Sequence, residues 1–99
     1  MRLSQKEIDA IKRNFKKYFK KGEIFLFGSR VDDTQKGGDI DLYISTEDKS
    51  NLVRKKIKFL VALKNEIGEQ KIDVVLDYNQ NRVIDKIAKE RGVLLWIKR

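Results

Sequence analysis

The chain has no cysteine, no histidine and no proline. Without cysteine there is no disulfide and no thiolate metal site. Without histidine, Ser-His-Asp and Cys-His nucleophiles and His-ligated zinc are all excluded. Any catalysis must rest on carboxylates, Ser, Lys, Arg, Tyr or a bound metal. No apolar run approaches the ~20 residues a membrane helix needs. The N-terminus, Met1-Arg2-Leu3-Ser4-Gln5-Lys6-Glu7, turns polar at once, without the apolar stretch of a signal peptide. These absences suggest a cytoplasmic location and no membrane. No proline, internal repeat or low-complexity tract divides the 99 residues. The expectation is one domain, 1–99, burying roughly two-thirds of its unfolded surface. A macromolecular substrate would then meet this domain directly or through a partner.

Charge is plentiful: 23 basic against 15 acidic residues, for a net +8. Such an excess attracts nucleoside triphosphates, nucleic acid or an acidic protein surface. It also fits a plain lysine-coated surface. Arg54, Lys55, Lys56, Lys58 and Lys64 crowd one segment. That run reads as a solvated face, as a contact surface for an acidic partner helix, or as a path for RNA. A stacking series of aromatics, which a nucleic-acid platform wants, is missing. Trp96, Tyr43, Tyr78 and Phe59 are scattered. Phe15, Tyr18, Phe19 and Trp96 are many aromatics for a small core, and one of them at a protein interface is an alternative to packing.

Periodicity organises the chain. Residues 4–20 have the apolar spacing of an amphipathic helix, with Ile8, Ile11, Phe15, Tyr18 and Phe19 on one stripe. Ser4 and Glu7 have capping-box spacing, and Gly22 is a natural stop. Glu23–Phe27 is a short apolar strand, followed by a connection over 28–38. Asp39–Ile44 is a second strand. Residues 50–67 form a helix with Val53, Ile57, Leu60, Val61 and Ile67 on one face, closed by Gly68. Ile72–Leu76 is a third strand. Asn81–Arg91 is a third helix with Ile84, Ile87 and Ala88 inward, and Val93–Ile97 is a last, edge strand. The order is α-β-β-α-β-α-β. The long second helix suits a crossover between parallel strands, and the first two strands can run antiparallel. The fold class is α/β (α+β), a mixed four-stranded sheet with helices mainly on one face.

The chemistry concentrates in Phe27-Gly28-Ser29-Arg30, Gly38-Asp39-Ile40-Asp41-Leu42 and Lys71-Ile72-Asp73-Val74. Alternation along a strand points Asp39 and Asp41 to one face. Asp73 joins them if the second and third strands are neighbours. Close carboxylates repel, and a hard divalent cation relieves that repulsion. Three carboxylates suffice for two Mg²⁺ ions, one holding a triphosphate and the other activating an attacking hydroxyl. A glycine after a strand lets the backbone approach a phosphate, Ser29 adds a hydroxyl, and Arg30 can reach a phosphate or pair with an aspartate. Asp77 is in phase with Asp73 but reads as a turn or cap residue.

The pattern G-S-x₉-D-x-D with a later strand carboxylate resembles the DNA polymerase beta-type nucleotidyltransferase superfamily, and the length resembles its minimal nucleotidyltransferases. That resemblance implies the nucleotidyltransferase fold. It implies that Gly28 and Ser29 bind the nucleotide, to which the residue reading adds Arg30, and that Asp39, Asp41 and Asp73 are catalytic and hold metal. It further implies Mg²⁺, with ATP as substrate, and a HEPN-domain partner. In toxin–antitoxin pairs of this type the nucleotidyltransferase transfers AMP from ATP to a tyrosine of a HEPN ribonuclease. The loop between Gly-Ser and Asp-x-Asp is one residue shorter than is common in the family. Asp33 stands where a glycine is frequent, its charge to be offset by Lys36 or Arg30. A binding module that neutralises a HEPN partner by contact alone, and a nucleic-acid-binding domain, are the alternative readings.

Overall fold

A computed structural model of the chain describes residues 2–19, 21–31, 38–68, 70–78 and 81–98, with Ser29 and Lys98 described by their backbone alone. Helix α1 (Gln5–Tyr18) leads into strand β1 (Gly22–Phe27), which ends in a short 3₁₀ turn (Gly28–Val31). Then follow β2 (Ile40–Ser45), α2 (Leu52–Ile67), β3 (Ile72–Leu76), α3 (Val83–Arg91) and β4 (Val93–Lys98). The four strands form one sheet in the order β3-β2-β1-β4. Strand β1 is antiparallel to both neighbours, whereas β2 and β3 are parallel. The mixed sheet, the α2 crossover and the edge position of β4 are those expected from the element order. Asp33, Lys36 and Gly37 lie outside the described residues.

Helix α1 starts as its sequence dictates. The Ser4 hydroxyl accepts from the Glu7 amide at 3.1 Å, and the Glu7 carboxylate accepts from the Ser4 amide at 2.8 Å. Ile11, Phe15 and Phe19 are fully covered and pack against the sheet. The helix stops at Tyr18, earlier than the glycine suggested. Phe19 is already extended and caps the helix by donating its N–H to the Phe15 carbonyl, and Gly22 opens β1.

Helix α2 corrects one expectation. Its buried residues are Leu52, Phe59 and Leu63. Val53, Ile57 and Val61, three of the residues assigned to the inward stripe, are 61%, 56% and 56% exposed. At about 100° per residue, the apolar positions of α2 cover more than half its circumference. Several rotations therefore satisfy the periodicity. The choice falls on the arc that carries Phe59, whose ring meets Phe19 edge-on with centroids 5.9 Å apart. Burying the largest side chain between α1 and the sheet removes the most apolar surface from water.

Helices α1 and α2 share one face of the sheet, over Ile24, Leu26, Ile40, Leu42, Ile44, Ile72, Val74 and Leu76. The other face is smaller. There Phe25 and Tyr43 pack against Ala88 of α3. Here too the inward set differs from expectation: Ala88 is buried, but Ile87 is exposed and Asp85 takes a buried place. Asp85 is tolerated because its carboxylate is satisfied by the Tyr43 hydroxyl at 2.8 Å and by Arg82. Among the described residues no helix is long and apolar enough to cross a membrane.

The rotation of α2 has a direct test. Phe59→Ala should cost about 3–5 kcal/mol, as expected for emptying a packed site. Val61→Ala should stay within about 0.5 kcal/mol, as expected of an exposed position. Urea unfolding of the two variants beside the parent measures both.

Candidate active site

Strand β2 lies between β1 and β3, and its side chains alternate between two environments. Ile40, Leu42 and Ile44 enter the main core, leaving Asp41, Tyr43 and Ser45 on the α3 side of the sheet. In the parallel ladder Asp41 is the register partner of Asp73, so the two stand side by side on adjacent strands. Asp39 precedes β2 by one residue, and its carboxylate pairs with the Lys71 ammonium at 3.4 Å. The strand arrangement thus brings Asp39, Asp41 and Asp73 to one end of the sheet, as the alternation implied. Asp41 is half-buried and Asp73 exposed. Burial first, then the charges of Asp73 and Asp39, push the Asp41 carboxyl above the usual carboxylate range, with Lys71 acting in opposition. Lys71 escaped the sequence reading. It becomes visible only once β2 and β3 are aligned, because Ile40 faces Ile72 and the residues before them fall together.

The glycine turn meets these carboxylates directly. Phe27, the last residue of β1, is the register partner of Asp41. Gly28 follows with φ of +77°, and a Cβ placed there would lie 2.4 Å from Asp41 Oδ2. Only glycine fits both the backbone angle and this close approach. Ser29 has its backbone in the turn, while its side chain lies outside what is described. Arg30 points into a bracing network. Its guanidinium donates to the Arg2 carbonyl at 2.9 Å, to the Gly38 carbonyl at 3.3 Å and to Gln70 Oε1 at 3.4 Å. The Arg2 amide returns a bond to the Arg30 carbonyl at 2.7 Å, and Gln70 donates to Glu7 at 2.7 Å. The start of α1 and the segment before β3 therefore hold the turn in place. Neither Gln70 nor Arg2 carried a recognisable signal in the sequence.

At the other end of the same face the polar groups are mutually satisfied. Asp77 is buried, accepting from Ser45 Oγ and from Lys89 Nζ, each at 3.1 Å. It is a structural anchor beyond the end of β3. The Arg82 guanidinium, then the Tyr43 hydroxyl, hold Asp85 down at about 2 against its burial. Burial pushes the Tyr43 hydroxyl far up, so it remains a hydrogen-bond donor.

An all-oxygen set of aspartates suits a hard divalent cation, and a cation would offset the burial and the repulsion that together raise the Asp41 carboxyl. Among the described residues, however, no group of three or more such side chains is arranged as a ready metal cage.

The fold thus presses a glycine turn against an aspartate strand, beside a parallel strand bearing a third aspartate. Residues 9–99 match the family described as "Polymerase beta, Nucleotidyltransferase", and the chain belongs to that family. Membership supports a transferase acting on nucleotides as its general class. No curated protein matches the chain.

Two predictions follow from the electrostatics. The folded state binds the Asp41 proton more tightly than the unfolded chain, so stability falls as pH rises through Asp41's raised titration, and the ionised carboxylate remains a cost above it. In EDTA at pH 7, Asp41→Asn should therefore raise the Tm of the domain. The gain should vanish near pH 3, and thermal unfolding at both pH values reads it. For Asp85 the sign is opposite: its lowered pKa contributes stability above the unfolded value near 4, lost as pH falls toward about 2. Tyr43→Phe should cost about 1 kcal/mol at pH 7 and less at pH 2, as measured by urea unfolding.

Proposed function

We propose that the domain is a Mg²⁺-dependent nucleotidyltransferase that moves AMP from ATP to a hydroxyl of a partner protein. The juxtaposition of Gly28 with Asp41, itself in register with Asp73, carries this reading. The missing Cβ at Gly28 lets the turn backbone close onto the Asp41 carboxylate, so a triphosphate held by the turn amides, with the Ser29 hydroxyl as a further donor, would lie next to the carboxylates. Asp39, Asp41 and Asp73 would hold Mg²⁺, which supplies charge neutralisation at the phosphates and a more acidic attacking hydroxyl. Arg30, engaged with Arg2, Gly38 and Gln70, acts as a positioning residue for the turn. Lys71 pairs with Asp39 and would release it to a bound cation. The acceptor hydroxyl gives its proton to a neighbouring carboxylate or to water and attacks the α-phosphate, a new P–O bond forms, and pyrophosphate leaves with the electrons of the broken bond.

The acceptor that best fits the family likeness is a HEPN-domain ribonuclease, which makes this domain its antitoxin in the cytoplasm. A second reading takes its support from the Lys71–Asp39 pair and the absence of a ready metal cage among the described residues. In that reading the domain neutralises a HEPN partner by contact, without catalysis.

Incubation with Mg²⁺, ATP and a HEPN-domain partner, followed by intact-mass spectrometry, separates the two. An enzyme adds one adenylyl group to the partner. Asp41→Asn, folded and at least as stable as the parent, should lose both this addition and neutralisation of the ribonuclease. Neutralisation by Asp41→Asn without any mass gain establishes the contact reading and overturns the enzyme.

A further inference from the structure

The outward face of α2 has no role in the site, which lies across the sheet from it. Val53, Ile57 and Val61 recur every four residues and form a stripe along that face. A shallow groove runs beside the stripe, lined by Val53, Arg54, Ile57 and Lys58. Three β-branched apolar side chains in a row on a solvated helix cost hydration with no return among the described residues. The helix does not need them for its fold, because Leu52, Phe59 and Leu63 already seat it.

The electrostatics of the same face are one-sided. Helix α2 carries five cations and a single acid, Glu66. Glu66 is turned to α1, where Arg13 and Asn14 bind it. Lys55 is held by Asp48 at 3.2 Å. The groove itself thus presents Arg54 and Lys58 with no carboxylate among its lining residues.

We infer that the α2 face is a docking surface for an acidic amphipathic helix of a partner protein. Such a helix seats apolar side chains, spaced three and four residues apart, on Val53, Ile57 and Val61. Its flanking carboxylates then meet Arg54 and Lys58. A second copy of this chain is disfavoured as occupant, because each copy carries net +8 and presents the same cations. A nucleic-acid strand has no use for the apolar stripe. A lipid surface calls for bulky Trp, Phe or Leu anchors, where this stripe offers two valines and an isoleucine.

The inference is independent of nucleotidyl transfer, and its test uses neither ATP nor metal. The probe is a fluorescein-labelled synthetic helical peptide of about 18 residues, long enough to hold helical structure, with a leucine stripe flanked by glutamates. Anisotropy titration with the full chain should give a Kd in the range of tens of micromolar. A scrambled peptide of the same composition, and one with lysine for glutamate, should bind at least about 10-fold more weakly. Ile57→Ser should weaken binding about 10-fold with Tm unchanged, and Arg54→Glu/Lys58→Glu should favour the lysine peptide. Backbone amide shifts on titration should map to residues 53–61. No binding up to about 100 µM, or equal binding of the scrambled peptide, overturns the inference. So does Ile57-dependent binding of anionic vesicles or RNA in place of the peptide, or Ile57-dependent dimerisation in sedimentation.

Discussion

The alternation of β2 is the constraint on which the rest of the structure depends. Paired on both edges, the strand cannot slip by one residue without exchanging its two faces. In the observed register Ile40, Leu42 and Ile44 complete the main core. The same register leaves Asp41 beside Asp73, under Gly28. Core and site are two sides of one strand, so the packing that stabilises the domain also enforces the meeting of its carboxylates. The antiparallel pairing of β1 then delivers the glycine turn to the same end of the sheet. Parallel pairing would have placed it at the opposite end.

The α3 face of the sheet is divided by how its charges are answered. Toward the end of β2, Tyr43, Ser45, Asp77, Asp85, Arg82 and Lys89 form a set in which carboxylates face donors. Toward its start, Asp41 is desolvated and repelled by its neighbours, with Lys71 as partial relief. Buried polar groups are normally satisfied. Asp41 is therefore the carboxylate of this face whose ionised form its surroundings disfavour. Ionised Asp41 costs the folded domain stability.

Local patterns were legible where one physical signal dominated. The capping box of Ser4 and Glu7, the glycine end of α2 and the extent of β3 follow from short-range chemistry. The in-phase aspartates follow from strand alternation, and the topology from the length of the crossover. Helix α2 was not legible in the same way. Its apolar residues spread over more than half the cylinder, and periodicity alone cannot rank Phe59 against Val53, Ile57 and Val61. The inward place of Asp85 was hidden for another reason. A carboxylate in a core requires donors, and Tyr43 stands 42 positions away in the chain.

The sequence by itself determined the elements, their order and the identity of the carboxylate set, because each depends on spacing within a few residues. Tertiary structure alone decided which arc of α2 turns inward, that Lys71 lies beside Asp39, and that Arg30 braces the turn through Arg2 and Gln70. These outcomes depend on residues far apart in sequence competing for the same volume or the same hydrogen-bond acceptor. Such competition is resolved only when the sheet and helices close on one another.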